Sequence, residues 1–124
     1  MRHLALSATM LLACCTAQPK TATESAIPQI ADRVAGPPQR CVPIEQSRGL
    51  HAAGPRTLLY GSGRTIWVNR LPEDCAGIRF SDILVIEPSG SQYCQGDFLR
   101  TRDNVTLLPG PGCRLNDFVP YRKP

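Results

Sequence analysis

The sequence contains little of what a catalytic site needs. It has two histidines, His3 and His51, so general acid–base chemistry by imidazole has few places to occur. The sequence also lacks a nucleophile elbow, a phosphate-binding glycine loop, a dinucleotide fingerprint and a clustered metal-ligand motif. Asp82 and Asp97 have the residue type of a glycosidase carboxylate pair, but each also fits an ordinary role in a turn. We therefore expect no enzymatic activity, no cofactor and no metal.

Strong charge and long apolar runs are missing as well. The formal net charge is +4, which is too mild to indicate nucleic-acid binding. The apolar run at 4–13 is too short to span a bilayer, and helix signals are poor along the whole chain. The 12 prolines and 10 glycines favour short strands joined by many turns.

The first residues have the layout of a bacterial export signal. A charged start, Met1-Arg2-His3, precedes the apolar run. The run ends in Leu11-Leu12-Ala13-Cys14, which resembles the lipobox, where a signal peptidase cuts before a cysteine that carries lipid. We predict a lipoprotein signal peptide at 1–13 and lipidation of Cys14; the alternative is an ordinary secretory signal cut near Ala17. The residue after the cysteine is not aspartate, which favours an outer-membrane anchor on the periplasmic side of the envelope.

The remaining chain divides into a tether and one domain. Residues 14–40 have no sustained apolar period and include Gly36-Pro37-Pro38, so we predict that they form a flexible tether after the lipidated cysteine. Residues 41–124 then form the domain. A domain of this size buries limited apolar surface, and cross-links often supplement its stability.

The pattern of apolar residues after residue 41 predicts an all-β fold. Arg56–Tyr60 and Arg64–Leu71 are typical of two strands joined by the turn Gly61-Ser62-Gly63. Both sides of the second strand carry apolar residues, so both faces of its sheet should be partly covered. Ile83–Ile86 is a continuous apolar run, as expected for a buried central strand. Further strands are predicted at Gln92–Cys94, Phe98–Arg102 and Val105–Leu108, which gives a small five- or six-stranded barrel or meander.

Four cysteines in the predicted domain, Cys41, Cys75, Cys94 and Cys113, indicate two disulfides. They follow an export signal, so the chain is directed to a compartment where disulfides persist. The lack of a Cys-x-x-Cys pair disfavours a zinc site or a redox motif. The sequence alone does not select among the pairings. We favour Cys75–Cys94, which would clip a hairpin that starts at Ile83, and Cys41–Cys113, which would join the first and last segments of the domain.

Several cysteine-centred segments occur in an order that resembles a known family. They are Cys41, Arg56-Thr-Leu-Leu-Tyr60, Asn69-Arg-Leu-Pro72, Cys75-Ala-Gly-Ile-Arg-Phe80, Tyr93-Cys-Gln-Gly-Asp97 and Cys113-Arg-Leu-Asn-Asp-Phe-Val-Pro120. Over 41–121 the chain is similar to an uncharacterised family of small exported, cysteine-containing bacterial proteins, a domain of unknown function. The resemblance implies an exported protein and this fold class. It attaches no activity, ligand or catalytic residue.

A small tethered β domain fits a binding or structural role better than catalysis. Trp67, with Tyr60 and Tyr93 on neighbouring strands, is a candidate surface for a glycan or cell-wall polymer. Arg100 and Arg102 are two residues apart on one strand, so they share a face and could meet lipid phosphate or an acidic protein patch. A core role for Trp67 and solvated positions for the arginines are the plainer alternatives. An envelope protein partner, as for a hydrolase inhibitor or an assembly accessory, is a further hypothesis by analogy of architecture.

Overall fold

The structure of the protein is a computed structural model that describes residues 27–45, 49–72, 75 and 77–124. This part of the chain contains ten β-strands and no α-helix. In chain order the strands are β1 (Val34–Ala35), β2 (Cys41–Pro43), β3 (Leu50–Gly54), β4 (Thr57–Tyr60), β5 (Thr65–Arg70), β6 (Ile83–Glu87), β7 (Gln92–Cys94), β8 (Phe98–Arg102), β9 (Pro109–Arg114) and β10 (Phe118–Arg122). The predicted signal peptide at 1–13 and Cys14 lie outside the described residues.

The strands form three antiparallel sheets. The largest has the order β1-β10-β5-β4-β3, the second has the order β6-β8-β9, and a two-stranded sheet pairs β2 with β7. The predicted all-β class with two disulfides is confirmed, and β3, β4 and β5 form a meander. The described strands are more numerous than the sequence predicts, and their sheets do not close into a barrel.

The hairpin that the sequence predicts most clearly is present. β4 and β5 pair antiparallel, with Tyr60 opposite Trp67. Gly61 and Gly63 in the connecting turn have φ angles of 94° and 74°. Glycine adopts this left-handed conformation without the steric cost that a side chain would add. The conformation of the turn therefore depends on Gly61 and Gly63, the residues from which the sequence predicts it.

Both faces of the five-stranded sheet are buried, as the pattern in β5 predicts. One face carries Leu58 and Phe118 and packs against Leu99 of the three-stranded sheet. The opposite face carries Val68 and Tyr121 in a second cluster. Removing this apolar surface from water is the dominant favourable contribution to folding.

The second cluster is completed by a segment that its sequence pattern assigns to the tether. Ile27 and Ile30 pack in this cluster, and Ile30 is 0% exposed. The buried guanidinium of Arg33 donates to two backbone carbonyls at 2.9 Å, and β1 pairs with β10. Residues 27–40 are thus packed on the domain, and the prediction that they belong to a flexible tether is wrong. Two isoleucines in a short polar stretch do not make the sustained period on which that prediction relied.

Two strand predictions in the second half of the domain also need correction. The Ile83–Ile86 run forms β6, but β6 is an edge strand, and Ile83 and Val85 are exposed. A continuous apolar run does not by itself show that both faces of a strand are covered. Val105–Leu108 is a loop, and the next strand begins at Pro109. The prolines and glycines of β9 resemble a turn, and this composition is tolerated because β9 lies at the edge of its sheet.

The disulfides join Cys41 to Cys94 and Cys75 to Cys113, with Cα–Cα distances of 4.0 and 5.5 Å. The predicted pairing of Cys75 with Cys94 and of Cys41 with Cys113 is therefore wrong. It assumed that β6 and β7 form a hairpin, whereas β6 pairs with β8 and β7 pairs with β2. Cys41 and Cys94 are opposite residues of the β2–β7 ladder. The two disulfides indicate an oxidising, non-cytoplasmic compartment.

Candidate binding face

The outer face of the three-stranded sheet carries a concentrated set of cationic side chains. Directly opposed residues of antiparallel strands project on the same side, so the register sorts this face into three rows. The rows are Glu87, Phe98 and Arg114; Val85, Arg100 and Gly112; and Ile83, Arg102 and Pro109. Leu99 and Thr101, the intervening residues of β8, are buried on the other side. We call the surface formed by these three rows the outer face.

The Phe98 ring lies at the centre of the cationic contacts. The guanidinium carbon of Arg100 is 4.7 Å from the ring centroid, and that of Arg114 is 5.7 Å from it. Both distances are within the range of a cation–π interaction. The ring also lies against Gly112, where an added Cβ would come within 3.2 Å of it. Arg100 Nε is 3.1 Å from Glu87 Oε1, so the Arg100 guanidinium has two partners that define its position.

Arg102 connects the outer face to the loop that follows β8. Its Nη1 donates to the carbonyl of Leu107 at 3.3 Å. A shallow cleft of about 220 Å³ is lined by Arg100, Arg102, Gly110 and other residues of β8 and β9. This volume is smaller than the roughly 300–1,000 Å³ of small-molecule sites. The outer face is therefore suited to contact a ligand rather than to enclose one.

Asp103 organises the loop between β8 and β9. Its Oδ1 accepts hydrogen bonds from the backbone N–H groups of Thr106 and Val105 at 2.8 and 2.9 Å, and from the Thr106 hydroxyl at 3.1 Å. These bonds, with one from Arg79 to its other oxygen, hold the pKa of the Asp103 carboxyl well below its usual value. The loop is therefore a hydrogen-bonded turn of the kind that aspartate favours.

Arg79 ties this loop to the turn that precedes β6. Its Nη2 is 2.6 Å from Asp103 Oδ2, and its Nε is 3.3 Å from Asp82 Oδ1. The hydrogen bond to Asp103, and then the charge of Asp82, raise the pKa of Arg79. Phe80 lies in this turn and is 77% exposed. A cleft of about 330 Å³ is lined by the three charged groups, which pair with one another.

Trp67 does not belong to the outer face. It packs, partly buried, against the main core cluster, as Tyr93 does. The rings of Tyr60 and Tyr93 meet edge to face with centroids 5.6 Å apart, and the Tyr60 hydroxyl donates to the Pro43 carbonyl at 2.6 Å. Burial raises the pKa of Tyr93. The predicted aromatic group is thus part of the core, and the structure does not bring Trp67 together with Arg100 and Arg102.

Part of the outer face is predictable from the sequence, and part of it is not. Arg100 and Arg102 share it, as their spacing predicts. Phe98 precedes Arg100 by two residues on the same strand, so the same period would have placed it there. Arg114 had no such signal, because β9 was not predicted as a strand.

The residues considered for catalysis have structural contacts. Asp97 Oδ2 accepts a hydrogen bond from the Cys94 N–H at 2.8 Å, and Asp82 Oδ2 accepts one from the Arg79 N–H at 2.8 Å. Both carboxylates therefore hold turns, which was the simpler interpretation of each. His51 is exposed on β3. Within the described ranges, no group of three or more histidine, cysteine, aspartate or glutamate residues could hold a metal ion.

No family model, curated protein or solved structure matches the chain. The resemblance to small exported bacterial proteins therefore stays a prediction. In the part of the chain that the structure describes, no helix is long and apolar enough to cross a membrane.

Proposed function

We propose that the protein is a non-catalytic binding domain of the bacterial envelope that recognises phosphate or carboxylate groups through its outer face. One observation carries the proposal: the outer face presents three guanidinium groups and an aromatic ring against a single carboxylate. These groups belong to Arg100, Arg102, Arg114, Phe98 and Glu87.

The chemistry of these side chains favours anionic ligands. A guanidinium offers paired N–H donors that match the oxygens of phosphate and carboxylate. Arg100 and Arg102 are about 7 Å apart along β8, given the rise of a strand, so a single polyanion can contact both. Phe98 adds an apolar surface that suits the face of a sugar. Phospholipids, envelope glycans and acidic protein patches all carry such anionic groups.

The location in the envelope is supported by two separate features. The disulfides support an oxidising compartment, and the pattern that ends at Cys14 supports export with a lipid anchor. We propose that Cys14 carries the lipid and that the domain lies on the periplasmic side of the outer membrane. Intact mass of the membrane-extracted protein tests the anchor: a diacyl or triacyl adduct on a chain that starts at Cys14 is expected, and an unmodified chain that starts near Ala17 would contradict it.

The binding proposal is tested by removing charge from the outer face. The double variant R100Q/R102Q should bind polyphosphate or dextran sulfate about 2- to 30-fold more weakly, because each exposed charge contact contributes roughly 0.2–1 kcal/mol. The measurement is a titration by anisotropy at low salt, where such contacts are least screened.

The matched control is R64Q/R122Q, which removes the same charge from two exposed arginines of the five-stranded sheet region. This control should keep most of the parent affinity. Equal loss in both double variants would show that net charge alone drives binding, and it would contradict a role for the outer face.

A further inference from the structure

One end of the three-stranded sheet is unusually apolar for a surface. Most of the large hydrophobic side chains that are exposed in the described residues lie there. The exceptions are Val34 and Val85. The concentrated set is Phe80 (77% exposed), Ile83 (41%), Val105 (83%), Leu107 (57%) and Leu108 (64%). Exposed apolar side chains that a fold gathers at one end of a sheet are candidates for a site of interaction. We call these five side chains the apolar end.

The apolar end is held in place by defined contacts. The Arg79–Asp103 ion pair joins the turn that carries Phe80 to the loop that carries Val105. Ile83 is opposite Arg102 in the β6–β8 ladder, immediately before that loop. The exposed side chains therefore lie on two connected turns and on the first residue of β6 beside them, and they are not loose ends of the chain.

The backbone at Leu107 is a second, independent observation. Its φ is 59°, a conformation that large side chains rarely adopt and that asparagine or glycine would adopt more easily. The same residue exposes its side chain to solvent and accepts a hydrogen bond from Arg102 at its carbonyl. A strained, exposed leucine is unfavourable to the isolated domain, which points to a role in an interaction.

The apolar end and the arginines are arranged in order along the sheet. Arg102 lies next to the apolar end, Arg100 lies one row behind it, and Arg114 lies in the last row beside Phe98. The rows span about 13 Å from Arg102 to Phe98, given the rise of β8. A bilayer surface presents the same order, with acyl chains below a layer of phosphate groups.

We propose that the apolar end enters the headgroup–acyl boundary of an anionic bilayer while the arginines of the outer face contact lipid phosphate. This inference rests on the proposed function and names the bilayer as the source of its anionic groups. The cleft beside the apolar end is lined by the paired charges of Arg79, Asp82 and Asp103, whereas lipid accommodates protruding apolar side chains without a matching shape. Burial of apolar side chains together with attraction to anionic lipid is the general basis of such interfacial binding.

The test places a tryptophan at the apolar end and a matched one elsewhere. Leu108 and Val34 are each 64% exposed, so L108W and V34W in the full chain start from equal solvent contact. Each variant is mixed with phosphatidylglycerol-containing vesicles that carry brominated acyl chains, and the emission of the native Trp67 is subtracted using the parent protein. The expected result is quenching and a blue shift of L108W, with no comparable change of V34W. Because any lipid anchor is common to both variants, it cannot produce this difference.

The charge contribution is tested in the same assay. Quenching of L108W should fall when the substitutions R100Q and R102Q are combined with L108W in one chain, and it should persist when R64Q and R122Q are combined with it instead. Quenching should also be weaker with vesicles of phosphatidylcholine alone. An unquenched L108W, or equal quenching of L108W and V34W, would overturn the inference. L108W quenching that ignores both the lipid charge and R100Q/R102Q would also overturn it. If L108W is unquenched while soluble polyanions still require Arg100 and Arg102, the proposed function stands and the bilayer is not its ligand.

Discussion

Asp103 shows how one side chain sets the shape of the loop between β8 and β9. Its carboxylate accepts backbone hydrogen bonds from Thr106 and Val105 and forms an ion pair with Arg79. Replacing Asp103 with asparagine keeps the size of the side chain but removes the charge that attracts these donors. We expect D103N to lower the melting temperature modestly at neutral pH, as measured by circular dichroism. D32N, which changes an exposed carboxylate in the N-terminal segment, should leave it unchanged.

The pH dependence of this difference follows from the depressed pKa of Asp103. A carboxyl whose pKa is lower in the folded chain than its ordinary value of 3.8 stabilises the fold above that value. The stabilisation is lost progressively as the pH falls toward the folded pKa. The difference in melting temperature between the parent and D103N should therefore be constant from about pH 8 to pH 5 and shrink below about pH 4. A difference that stays constant down to about pH 2 would contradict the role given to this carboxylate.

Which individual side chains were predictable depends on how far apart their partners are in sequence. Arg100 and Arg102 could be placed on one face because the period of a strand is local. Asn69 could not be interpreted in the same way. Its Nδ2 donates to the Asn116 carbonyl at 2.6 Å and its Oδ1 accepts from the Asn116 N–H at 3.0 Å. This pair fixes the loop before β10 onto β5, and nothing local to either asparagine indicates the other.

The segment before β2 is where the structure changes the sequence interpretation most. Ile30 is fully buried against the side of the five-stranded sheet that faces away from the three-stranded sheet. Val34, four residues later, is 64% exposed. We expect I30A to destabilise the domain by about 2–5 kcal/mol, the usual cost of removing a buried isoleucine side chain. Urea denaturation of the full chain measures the loss as a lower midpoint with an unchanged slope.

V34A is the internal control for this substitution. It removes an apolar side chain from the same segment but from an exposed position, so its effect should stay within about 0.5 kcal/mol. If the segment were a flexible tether, I30A and V34A would be equally harmless. That result would restore the domain boundary at residue 41.

Strands were predictable where their composition is ordinary and unpredictable where it is not. β4, β5, β7 and β8 lie where the sequence predicts strands. β10 contains Pro120, which lacks an N–H group and normally argues against an inner strand. Here β1 is only two residues long and pairs with Tyr121 and Arg122, so no partner in β1 needs an N–H group from Pro120. The Pro120 carbonyl accepts a hydrogen bond from the Gly36 N–H at 2.7 Å. A short neighbour thus permits the proline, and that arrangement is not visible locally.

The packing of the domain also explains where a binding surface is available. The five-stranded sheet is covered on both sides, by the three-stranded sheet and by the segment around Ile30. The three-stranded sheet is covered on one side by the described residues, and its other side is the outer face. Whether a second layer covers a strand depends on segments remote in sequence. The apolar run of β6 is local, so it indicates a buried strand although one face of β6 is uncovered. The uncovered side leaves its arginines accessible to a ligand.

The two disulfides cross-link distant parts of this small domain. Cys41–Cys94 and Cys75–Cys113 span sequence separations of 53 and 38 residues. In the loop-entropy model each contributes about 4 kcal/mol by restricting the unfolded chain. That contribution is comparable with the net stability of a domain of this size, roughly 5 kcal/mol or somewhat more. Loss of either disulfide, for example in C113S, should therefore lower the melting temperature substantially.

The pairing itself is directly measurable, because arginine residues separate the four cysteines. Cleavage after arginine without reductant places them in the peptides 41–48, 71–79, 80–100 and 103–114. Mass spectrometry should find 41–48 linked to 80–100 and 71–79 linked to 103–114, and reduction should release all four. A link between 71–79 and 80–100 would instead support the pairing expected from the sequence, and it would require β6 and β7 to form the hairpin that the β2–β7 ladder now replaces. The digest therefore tests the sheet topology as well as the covalent structure.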